Sequence, residues 1–176
     1  MSPNSPTFPP ASLTEFSTCD LCDVHKGDPS GAFRVLPPVF GSYGGRDRFA
    51  GPVVTVKCFE DNTSVKALLE GPGEGRVLVV DGAGSLRRAL IGGNIAAAAA
   101  RNGWAGVVVD GCVRDLAELA EAEVGIRALA PMPLPTERRQ PGLVDVTVQL
   151  QGVRIAPGDW LYADLDGIVV MTSTGA

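Results

Sequence analysis

Histidine is nearly absent: His25 is the single one in 176 residues, and aromatic residues make up only 6%. One histidine argues against a Ser–His–acid triad and against the histidine-rich sets that hold catalytic zinc. Basic clusters are lacking too. With 15 Lys and Arg scattered among 20 Asp and Glu, the formal net charge is -5, and no basic stripe exists to neutralise phosphates. Direct nucleic-acid binding is therefore not expected. No apolar run approaches the roughly 18 residues that cross a bilayer. The start, MSPNSPTFPPASL, lacks the basic flank and apolar stretch of a signal peptide, so a cytoplasmic protein without a membrane segment is expected. The four cysteines (Cys19, Cys22, Cys58, Cys112) then favour free thiols. Cys19 and Cys22 form a lone CxxC with no second pair, a weak signal for zinc.

What is present fits one globular domain. Hydrophobic residues reach 45% and charged residues 20%, in a chain long enough for one sizeable core and too short for two. Residues 1 to 12 hold four prolines and no periodicity, which predicts a flexible N-terminal arm ahead of a single domain over 13–176. Ser12 to Val24 spaces Leu13, Phe16, Leu21 and Val24 as a short helix that Ser12 or Thr14 can cap. Val53 to Cys58 reads as a strand and Asn62 to Glu70 as a helix. RVLVV (76–80) and AGVVV (105–109) are continuous apolar runs, each followed by a glycine-bearing loop and a helical pattern, as in buried parallel strands with crossover helices. VDVTVQLQGVRI alternates like an antiparallel strand, and WLYADLDGIVVM reads as a hairpin closed at Asp166 and Gly167. These elements together make an α/β fold with mixed parallel and antiparallel strands.

The segment ALIGGNIAAAAARNGWAGVVVDGCVRD, residues 89–115, carries the most chemistry. Gly92 and Gly93 let backbone amides approach a ligand, Asn94 suits an N-cap, and Ile95 to Arg101 is helical. A helix start of this kind suits a carboxylate or phosphate, although a plain turn capping a helix explains the same spacing. A buried strand is expected to end at Asp110, turn through Gly111 and Cys112, and deliver Arg114 and Asp115 to the start of another helix. Asp115 suits a hard cation such as Mg²⁺, and Arg114 suits a substrate carboxylate or carbonyl. The competing reading is a capping box made by Asp115 and Glu118. DGAGSL (81–86) is a poor dinucleotide loop, because Arg87 stands where the third glycine belongs.

FGSYGGRDRFAGPVVTVKCFEDN, RVLVVDGAGSLRRALIGGN, NGWAGVVVDGCVRD and GDWLYADLDGIVV together resemble the family of the regulator of ribonuclease activity A and its relatives, the 4-hydroxy-4-methyl-2-oxoglutarate aldolases. The resemblance runs from about Cys19 to Met171. It implies a single domain with a three-layer β/β/α, swivelling-domain-like arrangement and assembly as a homotrimer. Aldolase members carry an aspartate, twenty intervening residues and then Arg-Asp, with base and metal roles for the aspartates and substrate binding for the arginine. Here Arg114 and Asp115 match, whereas Gly93 stands at the first aspartate. The family's substrate-contacting loop maps onto Gly92, Gly93, Asn94 and Ile95. Ribonuclease regulators typically lack the metal-binding aspartate that this chain keeps.

The resemblance thus implies a divalent-metal-dependent lyase acting on small α-keto acids that yield pyruvate, an aldolase and/or oxaloacetate decarboxylase. Asp115 would anchor Mg²⁺ or Mn²⁺, and Arg114 would help stabilise an enolate. The alternative is a non-catalytic regulator that binds and inhibits a ribonuclease or another RNA-processing partner. With Gly93 in place of the presumed base, decarboxylation is expected to survive and aldol cleavage to be weak unless another carboxylate, such as one from a neighbouring subunit, substitutes, and Gly93→Asp is expected to raise aldol cleavage more than decarboxylation provided the loop tolerates a side chain there.

Overall fold

Stretches of valine and isoleucine alternate with glycine-rich turns, and in the computed structural model, which describes residues 13–173, these stretches become strands. In chain order the elements are α1 (Thr18–His25), β1 (Phe33–Val35), β2 (Gly41–Ser42), β3 (Phe49–Lys57), α2 (Thr63–Leu69), β4 (Val77–Asp81), β5 (Ala89–Ile91) and α3 (Gly93–Arg101). They continue with β6 (Gly106–Val113), α4 (Leu116–Glu121), β7 (Gly125–Pro131), β8 (Leu143–Val144), β9 (Val148–Leu150), β10 (Val153–Ile155), β11 (Trp160–Ala163) and β12 (Ile168–Met171). The expected N-terminal arm, 1–12, lies outside the described residues.

β3, β4, β6 and β7 pair in parallel, each joined to the next through a helix, because parallel neighbours need a crossover. β11, β12 and β1 extend the β3 side antiparallel, and β2 closes the β7 side. The strands alternate between two cores. Val54, Val56, Leu78, Val80, Val107 and Val109 pack with α2, α3 and α4 through Val65, Leu69, Ile95, Ala99 and Leu119. Val53, Val77, Val79 and Val108 pack with Val148, Leu150, Ile155, Leu161 and Val170 on the other face. Two β layers and one α layer result, as expected of the β/β/α fold. Each such side chain contributes about 1.5–3 kcal/mol on full burial, so a one-residue slip that exchanged the two faces would forfeit many of these contacts.

Several local expectations are corrected. The first helix starts at Thr18 and is capped by Ser17, whose hydroxyl accepts from the Asp20 N–H, rather than by Ser12 or Thr14. VDVTVQLQGVRI is not one strand but a hairpin, β9 with β10, because Gln151 and Gly152 both take positive φ (50° and 81°) and reverse the chain. The closing hairpin forms where expected, β11 with β12, and Asp164 accepts from the backbone N–H of Asp166 and Gly167 in its turn. β6 does not stop at Asp110 but runs to Val113. Its pairing with β7 goes from Val109↔Ala128 to Cys112↔Ala130, so β6 carries one extra residue there. A bulge of this kind re-aims the residues beyond it.

Candidate functional site

Arg114 and Asp115 leave β6 just beyond the bulge. The Arg114 N–H donates to the Ile91 carbonyl (2.9 Å), and β5 pairs in parallel with β6, so the chain entering α3 runs beside the chain entering α4. Two helix starts therefore meet at the carboxyl ends of buried parallel strands, the usual place for ligands in such sheets. A cleft of about 300 Å³ opens there, lined by Asn62, Gly92, Gly93, Arg114, Asp115 and Arg138 among others.

Asp115 sits in the left-handed region, φ 59° and ψ 48°, at the N-cap position of α4. That conformation costs a residue with a side chain about 1–2 kcal/mol. It also excludes the capping-box reading, because the side chain makes no cap bond on its own helix. Asp115 Oδ2 instead accepts from the Gly93 N–H at 3.0 Å, crossing to the first turn of α3. Arg114 Nε lies 3.7 Å from the same oxygen, and both side chains remain about 40% exposed. Arg114 is steadied by the Pro133 carbonyl, 3.4 Å from its Nη1.

Gly92 is the N-cap of α3, and Gly93, Asn94 and Ile95 form its first turn rather than a loop. Asn94 is exposed and does not cap, while the Ile95 side chain is buried among Ala96 and Ala99. The first bond within the helix runs from the Ala96 N–H to the Gly92 carbonyl, which leaves the Asn94 and Ile95 N–H groups at the open, partly positive end.

At both positions glycine lets neighbouring side chains come close. A Cβ on Gly92 would lie 2.7 Å from Asp115 Oδ2, and one on Gly93 would lie 1.7 Å from Glu118 Oε2 and 2.6 Å from its Cδ. The Glu118 carboxylate therefore occupies the space that an aspartate at 93 would need. Sequence reasoning missed this residue by assigning it to a cap; the available signal was its place one turn after Asp115 on a helix that starts beside Gly93. Asn62 and Arg138 were also missed. Arg138 Nε donates to Asn62 Oδ1 at 3.2 Å, and Asn62 Nδ2 donates to the Leu90 carbonyl at 3.0 Å.

A larger cleft of about 720 Å³ lies nearby, lined by Lys57, Glu60, Asp81, Glu137 and Arg139 among others. Much of its charge is already spoken for: Glu60 is bonded by Arg87 and Ser85, and Glu137 is paired with Arg88 and Arg139. Size alone would favour it, but the convergence of acids, a guanidinium and a helix start favours the smaller cleft. Among the described residues no group of three or more His, Cys, Asp and Glu is placed to hold a metal ion. Cys19 is exposed and Cys22 partly buried, with no ligand set assembled around them.

An α/β domain with a polar cleft where two crossover helices begin is the class of protein defined by this architecture. The Aldolase/RraA model matches residues 18–170, and the chain belongs to the RraA-like family. It is 68% identical over 163 residues to a protein from Albidiferax ferrireducens named "Putative 4-hydroxy-4-methyl-2-oxoglutarate aldolase", covering 88% of this chain and 94% of the relative. A Burkholderia mallei protein of the same name is 56% identical over 156 residues, with the same coverage. The RNA-processing inhibitor RraA from Thermus thermophilis superposes with a TM-score of 0.84 at 47% identity, over 92% of this chain and 96% of that one. No helix among the described residues is long and apolar enough to cross a membrane.

Proposed function

We propose that the chain is a carbon–carbon lyase that cleaves 4-hydroxy-4-methyl-2-oxoglutarate, or a close keto dicarboxylic acid, into pyruvate units. The observation that carries this reading is the placement of the Glu118 carboxylate over Gly93, beside an Asp115 that is turned away from its own helix. The relatives named for this reaction support it.

The donor set fits a hard cation that keeps most of its waters: one half-exposed carboxylate, Asp115, with Glu118 close by and no thiolate or imidazole in the cleft. Asp115 would hold Mg²⁺ or Mn²⁺. Such an ion, when bound, supplies Lewis-acid stabilisation of negative charge on the keto oxygen. The remaining work belongs to the chain. The open first turn of α3 and Arg114 receive the carboxylate and carbonyl of the pyruvyl end. Arg138, steadied by Asn62, faces the distal carboxylate. Glu118 takes the proton from the C4 hydroxyl; C4 becomes a carbonyl as its bond to C3 breaks, and the electron pair passes to the enolate of the departing pyruvate, where Arg114 meets it. Protonation at C3 completes the second pyruvate.

Decarboxylation of oxaloacetate passes through the same enolate without a hydroxyl proton to remove, so it is proposed as a second activity. A cytoplasmic homotrimer belongs to the same proposal. The second reading, a regulator that docks on a ribonuclease, is favoured by the similarity to the Thermus inhibitor. Pyruvate release from both acids, with and without EDTA, separates them. Release that EDTA stops and Mg²⁺ or Mn²⁺ restores supports the lyase, whereas no release under any condition favours the regulator.

A further inference from the structure

The segment from Glu137 to Gly142 has no regular structure, yet it is fastened at three successive points to the residues that open α2. Asp61 Oδ2 accepts from the N–H groups of Arg139 (2.5 Å) and Gln140 (2.9 Å). Asp61 Oδ1 accepts from the Thr63 N–H (2.9 Å) and the Thr63 hydroxyl (2.6 Å). Asn62 Oδ1 accepts from Arg138 Nε, and Ser64 Oγ accepts from the Gly142 N–H (2.9 Å). Asp61 is buried, with 8% of its surface exposed, and all its partners are donors. Asn62 stands at the N-cap position of α2 but makes no side-chain cap bond there, so its amide is committed to Arg138 and Leu90. Alternate residues of the segment face different clefts: Thr136 and Arg138 line the smaller one, and Glu137, Arg139 and Gln140 the larger.

We propose that Asp61 is a positioning residue: its carboxylate clamps this strap so that Arg138 stands at the wall of the Arg114–Asp115 cleft, and it thereby sets a preference for keto dicarboxylic over keto monocarboxylic acids. The proposal rests on the lyase reading above. The carboxylate serves four donors at once. An amide at position 61 can keep its oxygen on the Arg139 and Gln140 N–H groups and set its NH₂ toward Thr63, whose hydroxyl can turn to accept, so it is removal of the whole carboxylate, as in Asp61→Ala, that leaves both strap N–H groups without their acceptor. The backbone on the C-terminal side of Arg138 is then released, and the guanidinium keeps only its bond to Asn62. Arg114, Asp115 and Glu118 make no contact with Asp61 and stay in place.

The test compares the full-length wild type, Asp61→Ala and Thr63→Val on 4-hydroxy-4-methyl-2-oxoglutarate and on 4-hydroxy-2-oxopentanoate, which lacks the distal carboxylate, alongside amide hydrogen exchange. A charge-assisted contact to a carboxylate is worth about 1.5–3 kcal/mol, or roughly ten- to a hundredfold in affinity. Asp61→Ala is expected to raise KM for the dicarboxylic acid by about tenfold or more, with little change in kcat and little effect on the monocarboxylic acid. Combined with Arg138→Met it should add nothing further. The amides of Arg139 and Gln140 should lose protection while those of β4 and β6 keep theirs. Thr63→Val removes a donor without freeing the strap and should behave as wild type. Equal losses on both acids, an unchanged KM, or unaltered protection at 139 and 140 would overturn the proposal. No pyruvate from either acid with the wild type would remove the lyase reading and the claimed preference with it, while exchange would still decide whether Asp61 clamps the strap.

Discussion

Moving the carboxylate from position 118 to position 93 tests the heart of the site. A Cβ at 93 would stand 1.7 Å from Glu118 Oε2 and 2.8 Å from Glu118 Cβ. The carboxylate can swing into solvent at little cost, but Cβ is fixed by the α4 backbone, so Gly93→Asp alone forces a small helix shift. Overpacking of this kind costs about 1–3 kcal/mol. The single substitution also expels the native carboxylate, so it is expected to lower aldol cleavage, against the gain that the sequence pattern alone implies. Glu118→Ala removes the base and should reduce kcat for aldol cleavage by about 10²- to 10⁴-fold. It should slow oxaloacetate decarboxylation far less, since no hydroxyl proton is removed there. The double variant Gly93→Asp with Glu118→Ala restores an acid in the same space with the carboxylate clash removed and only the 2.8 Å contact to the residue 118 Cβ left for a small helix shift to relieve, and should recover about tenfold or more of the lost aldol activity. Coupled lactate dehydrogenase detection of pyruvate reads all four proteins on both substrates, with thermal melts to report the overpacking. Full aldol activity in Glu118→Ala, or a double variant no better than that single one, would show that Glu118 is not the base.

Asp115→Asn keeps an oxygen for the Gly93 N–H but loses the charge, so it should melt within a few degrees of wild type while activity falls by about 10² or more; undiminished pyruvate release would remove the metal role of Asp115. Acid should loosen the molecule through two aspartates. Burial alone would raise Asp61, but the bonds from Thr63 and from the Gln140 and Arg139 amides outweigh it and hold it well below the carboxylate range; Asp164, bonded by Thr18, Asp166 and Gly167, is lowered against burial in the same way. A depressed folded pKa gives stability that is complete above the unfolded value of about 3.9 and is lost as pH falls through the folded one. Urea midpoints should therefore drop below about pH 4, and Asp61→Asn should flatten that drop. Asp110 runs the other way: burial first, then Asp81, raise it against the Gln151 hydrogen bond. Its ionised form is a cost at neutral pH that is relieved as pH falls, so Asp110→Asn should raise Tm at pH 7 and lose that advantage on acidification; a constant offset across pH would refute the linkage.

Composition and periodicity were enough for an α/β fold of mixed parallel and antiparallel strands, because continuous valine runs bury both faces of a strand and the glycine turns between them leave room for crossover helices; the layered arrangement came from the family resemblance. They were enough also for the closing hairpin, whose Asp-Gly turn is a local signal. Segment 89–115 stood out because two glycines, an arginine and an aspartate near predicted strand ends carry their meaning within a few residues. What the sequence could not decide was which groups those residues meet. Asp115 followed by Glu118 reads locally as a cap, and only a bulge in β6, visible through its pairing with β7, sends the carboxylate to Gly93 and leaves Glu118 over the same glycine. Asp61 gave no signal at all, since the two amides that it clamps lie 78 and 79 residues further along the chain. Hydrophobic periodicity is written into neighbouring residues and survives reading one residue at a time. A convergent set of charges is made by strand register and helix entry angles, and these exist only once distant segments have packed.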